Sequence, residues 1–388
     1  MSEEFFHQFI LEHENDDPGR LLLSAGRWPD IDVRRAARIL EGRRKIREKV
    51  PAWYACPGID YPSSLSLEQC SSEETARYKQ AFVPAGGRVA DLTGGLGVDS
   101  WALSQPAAEA HYCERNPDLC AAAFHNFPLL GVENLTVHEG DGIAWLREQP
   151  GRFDLVYLDP ARRSRTDRRV YDIADCEPNL LEIKDMLLQH ADRVLAKISP
   201  MADISRTLAQ LPETRELHVV EAGGEVKELL VLLQPGQPKT APVIVAVAGP
   251  HRFRFTQQEE AEAPVRYAAQ VGPYLFQPAK ALRKAGAFRL PARRFGLAKL
   301  APSTHLYTGE SPVDDFPGKT FPVEEVLPWG NEAQREIRRR FARVELTALN
   351  FPMTTDALRQ RLDIPGGGDR HVFATTLNHE KVLIICKP

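Results

Sequence analysis

The chain has 388 residues, enough for about two or three domains with sizeable cores. A formal charge of −4 and ordinary apolar and charged fractions describe a soluble globular protein and give bulk charge no role in recruiting a polyanion. Six cysteines (Cys56, Cys70, Cys113, Cys120, Cys176 and Cys386) follow no C-x-x-C spacing, which argues against a disulfide framework or a zinc site, and no metal is expected. No apolar run approaches the roughly 20 residues of a membrane span. Met1-Ser-Glu-Glu-Phe-Phe lacks a basic stretch ahead of an apolar one, so a cytoplasmic address and no membrane partner are expected.

Residues 1–80 read as a helical region. Val33 to Val50 places Val33, Ala36, Ala37, Leu40 and Ile46 on one stripe and covers the rest with arginine and lysine. That basic face is either a solvated helix surface or a grip on phosphates. From 81 to 250 the pattern alternates strand and helix. Arg88–Asp91 is a strand, Gly94 to Gly97 a glycine turn, and Trp101 opens a helix. Further strands follow at Glu109–Cys113, Leu135–His138, Phe153–Leu158 and Arg193–Ile198, then a hairpin through Gly223-Gly224 and one more strand at Val243–Val247. The expected fold is α/β, an open, doubly wound, mostly parallel sheet with an antiparallel final pair, and small α+β domains behind it. A basic module spans 264–314. From Pro264 to Gly309 it has no Asp or Glu, and Lys280, Arg283, Lys284, Arg293 and Arg294 interleave with aromatics, the footprint of a phosphate-backbone binder. The last unit, 315–388, reads as mixed α/β.

Chemistry concentrates where the strands end, because open parallel sheets bind ligands at their carboxyl edge. Asp91, Glu114, Asp141 and Asp159 each close a strand. A nicotinamide site wants G-x-G-x-x-G, and Gly95-x-Gly97-x-x-Ser100 lacks the last glycine. An S-adenosylmethionine site wants an acid at the end of the first strand, where Asp91 stands. Glu114 is spaced to accept from ribose hydroxyls and Asp141 from an adenine amine. A cysteine nucleophile is missing from the strand ends: Lys197-Ile-Ser199-Pro200-Met201 follows the fifth strand, and Cys113 lies within a strand. The histidines receive no role.

Asp91-x-Thr93-x-Gly95-x-Gly97, Glu114-Arg115-Asn116-Pro117, Gly140-Asp141-Gly142 and Leu158-Asp159-Pro160-Ala161-Arg162-Arg163 together resemble the successive motifs of class I S-adenosylmethionine-dependent methyltransferases. With Thr304-His305-Leu306-Tyr307 and the segment Tyr274 to Phe288, the whole chain resembles bacterial members that carry a small ferredoxin-like module (here 264–314) before a THUMP-like domain (315–388). The resemblance implies a Rossmann-like methyltransferase sheet with S-adenosylmethionine as cofactor. Its implied holders are Asp91, Thr93, Gly95, Gly97, Glu114, Arg115, Asp141 and Gly142. It implies Asp159, Pro160 and Arg162 as the catalytic set, with acid and proline carbonyl accepting from a target amine; Ala161 and Arg162 depart from the usual second proline and aromatic. RNA, tRNA or rRNA, is the implied partner, gripped by Arg163, Arg165, Lys280, Arg283, Lys284, Arg293 and Arg294. An RNA-binding protein with an inactive methyltransferase fold and a small-molecule methyltransferase stay open as alternatives.

Overall fold

A computed structural model describes residues 3–162, 173–236 and 240–387, which divide into two compact units, Met1–Glu216 with Leu229–Thr240, and Leu217–Glu228 with Ala241–Pro388. The first unit begins with six helices, α1 (Glu3–Glu12), α2 (Pro18–Leu23), α3 (Val33–Ile46), α4 (Pro51–Tyr54), α5 (Ser64–Gln69) and α6 (Glu73–Lys79). Asp17, Asp32, Ser63 and Ser72 cap four of them, each side chain accepting from the backbone N–H three residues on, which satisfies a donor that the helix itself leaves orphaned. The basic stripe of α3 is largely committed to the fold. Buried Arg43 pairs with Glu14 at 2.8 Å, Arg38 with Asp60 at 3.1 Å and Lys45 with Glu68 at 3.0 Å, while Arg44 donates to the Asp16 carbonyl.

The sheet of this unit follows: β1 (Arg88–Asp91), α7 (Val98–Ser104), β2 (Glu109–Glu114), α8 (Pro117–Leu129), β3 (Leu135–Glu139), α9 (Gly142–Glu148) and β4 (Leu155–Leu158). A two-stranded ribbon, β5 (Ala161–Arg162) and β6 (Cys176–Glu177), leads to α10 (Leu180–His190), β7 (Val194–Ile198) and α11 (Ile204–Gln210). A hairpin closes the run, β8 (Thr214–Ala222) and β9 (Glu225–Leu233). The strand order is β9-β7-β4-β1-β2-β3, parallel except where Leu229–Leu233 of β9 runs antiparallel to β7. β4 is buried along its length, as its unbroken apolar run requires of a central parallel strand. Asp91 pairs in register with Tyr112 on one side and Tyr157 on the other, so β1, β2 and β4 end at one edge. The N-terminal helices share a core with the sheet's helices: Phe9, Ile39 and Trp53 belong to one apolar cluster with Trp101, Tyr112 and Phe127.

In the second unit β8 lies beside β10 (Val243–Ala248), itself antiparallel to β11 (His251–Phe255). After α12 (Gln257–Glu262) come β12 (Tyr274–Pro278), α13 (Lys280–Ala285), α14 (Leu290–Arg294), β13 (Ala298–Ala301), β14 (Thr304–Gly309) and β15 (Gly318–Pro328). Then follow α15 (Asn331–Arg340), β16 (Glu345–Ala348), α16 (Thr355–Leu362), β17 (His371–Leu377) and β18 (Glu380–Cys386). The seven strands β13-β14-β12-β15-β18-β17-β16 form one sheet. β15 joins its halves, with Gly318–Pro322 on β12 and Val323–Pro328 on β18. Among the described residues no helix is long and apolar enough to cross a membrane.

Candidate active site

At the carboxyl edge of the first unit's sheet lies a cavity of about 710 Å³. Asp91, Thr93, Gly95, Gly97, Glu114, Arg115, Asp141 and Gly142, all expected from sequence to hold the cofactor, line it, as does Asp159. Pro160 does not line it. Arg162 contributes its backbone to β5, and Arg163 and Arg165 lie outside the described residues.

Asp91 is 2% exposed. Its Oδ1 accepts from the Thr93 N–H at 3.0 Å and its Oδ2 from the Ser100 hydroxyl. Burial pushes its carboxyl up to about 7, although both donors work against that shift. Since its folded-state pKa exceeds the unfolded value, the native chain holds the proton more tightly. The resulting stability is fully present below about pH 4 and is lost as pH rises through 7. Asp91→Asn cannot ionise, so the wild type is expected to lose about 3 kcal/mol relative to it between pH 5 and 8. Urea midpoints at each pH measure this, and parallel curves for the two proteins would refute it.

Gly95 has φ +55°, and a Cβ there would meet only the Thr93 carbonyl, at 3.8 Å. The turn therefore opens its backbone to the cavity in a conformation that favours glycine. Glu114 steadies this turn from β2: its Oε2 accepts from the Gly95 N–H at 2.9 Å and its Oε1 from the Asn116 N–H at 2.8 Å. Each carboxylate oxygen has a second acceptor direction, which suits paired hydroxyls. Asp141 caps α9, accepting from Ile143 and Ala144 N–H groups, and its Oδ2 takes the Arg115 guanidinium. Burial raises the Asp141 pKa, but the Ala144 N–H and Arg115 outweigh it and hold the carboxyl below the usual range. Arg115 reaches on to Glu177 at 3.3 Å and so joins β2's exit to β6.

Thr93, at the position usual for a glycine, ties the two halves of the site together. Its hydroxyl accepts from the Asp159 N–H at 2.7 Å. The Asp159 Oδ2 accepts from Lys197 Nζ of β7 at 2.6 Å. Beneath the glycine turn, Lys79 at the end of α6 is fully buried and donates to Asp99 Oδ1 at 3.0 Å. Tyr157 and Ser71 hydroxyls both donate to Asp99 Oδ2 at 2.8 Å. Burial opposes the Asp99 charge, yet Lys79 and Lys197 hold its carboxyl below the usual range. The sequence reading missed Lys197, Asp99, Ser71 and Lys79. One signal was available: Lys197 is a cation inside an otherwise apolar strand, and buried lysines occur almost only when paired.

The five basic residues expected to bind RNA in the second unit divide. Lys280, Arg293 and Arg294 are exposed, while Arg283 and Lys284 are half-buried. Desolvation draws the Arg283 pKa down, with Glu221 opposing. Arg294 stacks over Phe253 at 4.5 Å and donates to the Arg254 carbonyl at 2.7 Å. The helix starts in this acid-free stretch already hold carboxylates: Glu260 accepts from the N–H groups of Phe288, Arg289 and Leu290, and Glu221 accepts from that of Ala281.

Acids closing parallel strands around a glycine turn and a cavity of this size are the features of a class I methyltransferase. Residues 274–317 match the profile of a ferredoxin-like domain family and residues 318–388 that of a THUMP domain-like family. The crystal structure of a putative methyltransferase from Porphyromonas gingivalis W83 superposes with a TM-score of 0.88, at 38% identity over 98% of this chain and 97% of that one. Two uncharacterised S-adenosylmethionine-dependent methyltransferases of Mycobacterium tuberculosis, from strains CDC 1551 and H37Rv, are each 26% identical over 348 residues, 86% of this chain and 91% of theirs. The chain belongs to the class I S-adenosylmethionine-dependent methyltransferases with a THUMP-like C-terminal domain. The residues fit that cofactor: an open glycine turn, spare acceptor directions on Glu114, and the Asp91 and Asp159 carboxyls in the lining for a ligand bearing positive charge.

Proposed function

We propose that the chain transfers a methyl group to a base nitrogen of structured RNA, a tRNA or rRNA. The observation that carries this reading is Asp159, whose carboxylate lines the donor cavity while Thr93 fixes its backbone and Lys197 one of its oxygens. S-adenosylmethionine supplies an electrophilic methyl carbon on a sulfonium. Asp91, Thr93, Gly95, Gly97, Glu114, Arg115, Asp141 and Gly142 would bind it. Asp159, with its second oxygen, accepts a hydrogen bond from the target nitrogen and aims its lone pair, so much of the catalysis is positioning. Pro160 and Arg162 continue that loop, and Arg163 and Arg165 would add positive charge beyond it. The THUMP-like domain and the exposed Lys280, Arg293 and Arg294 support RNA as substrate.

Two measurements test the reading. S-adenosylhomocysteine at a hundred times its Kd is expected to stabilise the protein by about 2.7 kcal/mol, read as a rise in melting temperature. The full chain with S-adenosylmethionine is expected to methylate RNA from cells lacking the gene, and Asp159→Ala to abolish the product in nucleoside mass spectrometry. RNA that binds in a salt-dependent way yet stays unmodified would instead indicate an inactive fold.

A further inference from the structure

The methyl-accepting end of the cavity carries a charge pattern that an exocyclic amine does not need. An –NH₂ group offers only donors, and as its nitrogen is methylated it gains positive charge. Acceptors suit it; a fixed ammonium beside it does not. Here the Asp159 carboxylate stands 2.6 Å from the Lys197 ammonium, and both line the cavity. Lys197 is held from behind: it rises from the buried strand β7, and the Asp99 carboxylate, pinned by Lys79, Tyr157 and Ser71, attracts it. The pair thus presents an acceptor and a cation side by side. The loop after Asp159 also departs in sequence from the amine-binding pattern, because Ala161 replaces its second proline and Arg162 stands where it has an aromatic to stack on a splayed base.

We infer that Asp159 and Lys197 together read a ring lactam, the adjacent N–H and C=O of guanine N1–O6 or uracil N3–O4, and direct the methyl to the endocyclic nitrogen. This rests on the RNA reading above and narrows it. Asp159 accepts the ring N–H, and Lys197 donates to the neighbouring carbonyl oxygen. As the ring nitrogen bonds to the methyl carbon, the carbon–sulfur bond breaks with its electron pair left on sulfur. The ring proton passes to the Asp159 carboxylate and from there to solvent. Negative charge that gathers on the lactam oxygen as the proton leaves meets the Lys197 ammonium, a donor already in place. Lys197 is therefore a catalytic residue that the strand-end acids alone do not reveal, and it selects lactams because the same cation opposes methylation of an amine.

The test uses the full chain, S-adenosylmethionine and total RNA from cells lacking the gene, with products identified as nucleosides by mass spectrometry. The expected product is 1-methylguanosine or 3-methyluridine. A product methylated on an exocyclic amine overturns this inference and leaves the RNA reading standing; no methylated RNA at all overturns the RNA reading and this inference with it. Lys197→Met is expected to lower kcat about a hundredfold at pH 7 with KM changed less than about threefold. Its rate should climb more steeply toward pH 9 than the wild type's, as solvent ionises more of the lactam. Lys197→Arg keeps the charge and should recover part of the rate. A retained melting-temperature rise with S-adenosylhomocysteine shows that either variant is folded with its donor site intact. Should Lys197→Met not fold, Lys197→Arg against Lys197→Gln makes the same comparison. An unchanged kcat in the uncharged variant, or a pH profile parallel to the wild type's, refutes the role of Lys197.

Discussion

Replacing Lys79 with methionine is expected to remove about 3–5 kcal/mol of folding stability, the cost of stranding one member of a buried ion pair. Lys79 has no exposed side-chain surface, and Asp99 retains 11% of its own. With the ammonium gone, Asp99 Oδ2 keeps the Tyr157 and Ser71 hydroxyls and the attraction of Lys197, but these do not offset the loss of the charged partner in direct contact. Asp99→Asn should be comparably damaging, since it strands the lysine. The double variant Lys79→Met/Asp99→Asn keeps an acceptor for Tyr157 and Ser71 and buries no net charge. It should recover more than half of the loss, a coupling readable in a double-mutant cycle of urea midpoints. Additive losses would show that the two groups act independently. Because Asp99 and Ser71 both line the cavity, Lys79→Met should also weaken binding of S-adenosylhomocysteine. The N-terminal helices are in that sense part of the donor site.

This pair also marks where a linear reading stops. Asp91, Glu114, Asp141 and Asp159 were legible because each closes a strand, and parallel strands bring successive ends to one edge. What those acids do was less legible. Asp141, expected to accept from an adenine amine, is also a helix cap bonded to an arginine, which its place after a strand does not announce. Thr93 was expected only as a cofactor holder, and its hydroxyl also holds a backbone N–H 66 residues away. Lys79 and Asp99 are separated by 20 residues and belong to different helices, so no local pattern pairs them. In the basic module the acid-free stretch overstated the exposed charge. Its compensating carboxylates, Glu260 and Glu221, come from outside the stretch, and Lys299 within it is 3% exposed and donates to the Pro302 carbonyl. β15 escaped detection because Pro322 and Pro328 argue against a central strand. It accommodates Pro322 where pairing passes from β12 to β18, with an irregular register between Val323 and Glu325.

Gly94, between the predicted Thr93 and Gly95, carries the last and most local prediction. Its role is steric. A Cβ added there would fall 2.1 Å from Tyr112 Cε2 and 2.4 Å from Cδ2, closer than such atoms approach. Tyr112 cannot easily yield. It is fully buried in β2, packs edge-on against Phe127 with ring centroids 5.6 Å apart, and its hydroxyl donates to the Gly95 carbonyl at 2.6 Å. The bond from the Gly94 N–H to the Cys113 carbonyl, at 2.8 Å, holds the turn against the same strand. Gly94→Ala must therefore displace the ring or lift the turn, an overpacking that costs about 1–3 kcal/mol. Either movement breaks the Tyr112–Gly95 bond, and lifting the turn also separates the Gly95 N–H from Glu114. The expected result is a folded protein whose melting temperature no longer rises with S-adenosylhomocysteine. Tyr112→Leu lacks the ring atoms that collide with the new methyl but also the hydroxyl that holds the Gly95 carbonyl, so alone it should weaken the ligand response, whereas added to Gly94→Ala it should restore part of it. If Gly94→Ala alone binds S-adenosylhomocysteine as tightly as the wild type, the turn is not the rigid element that its contacts with Tyr112 and Glu114 require.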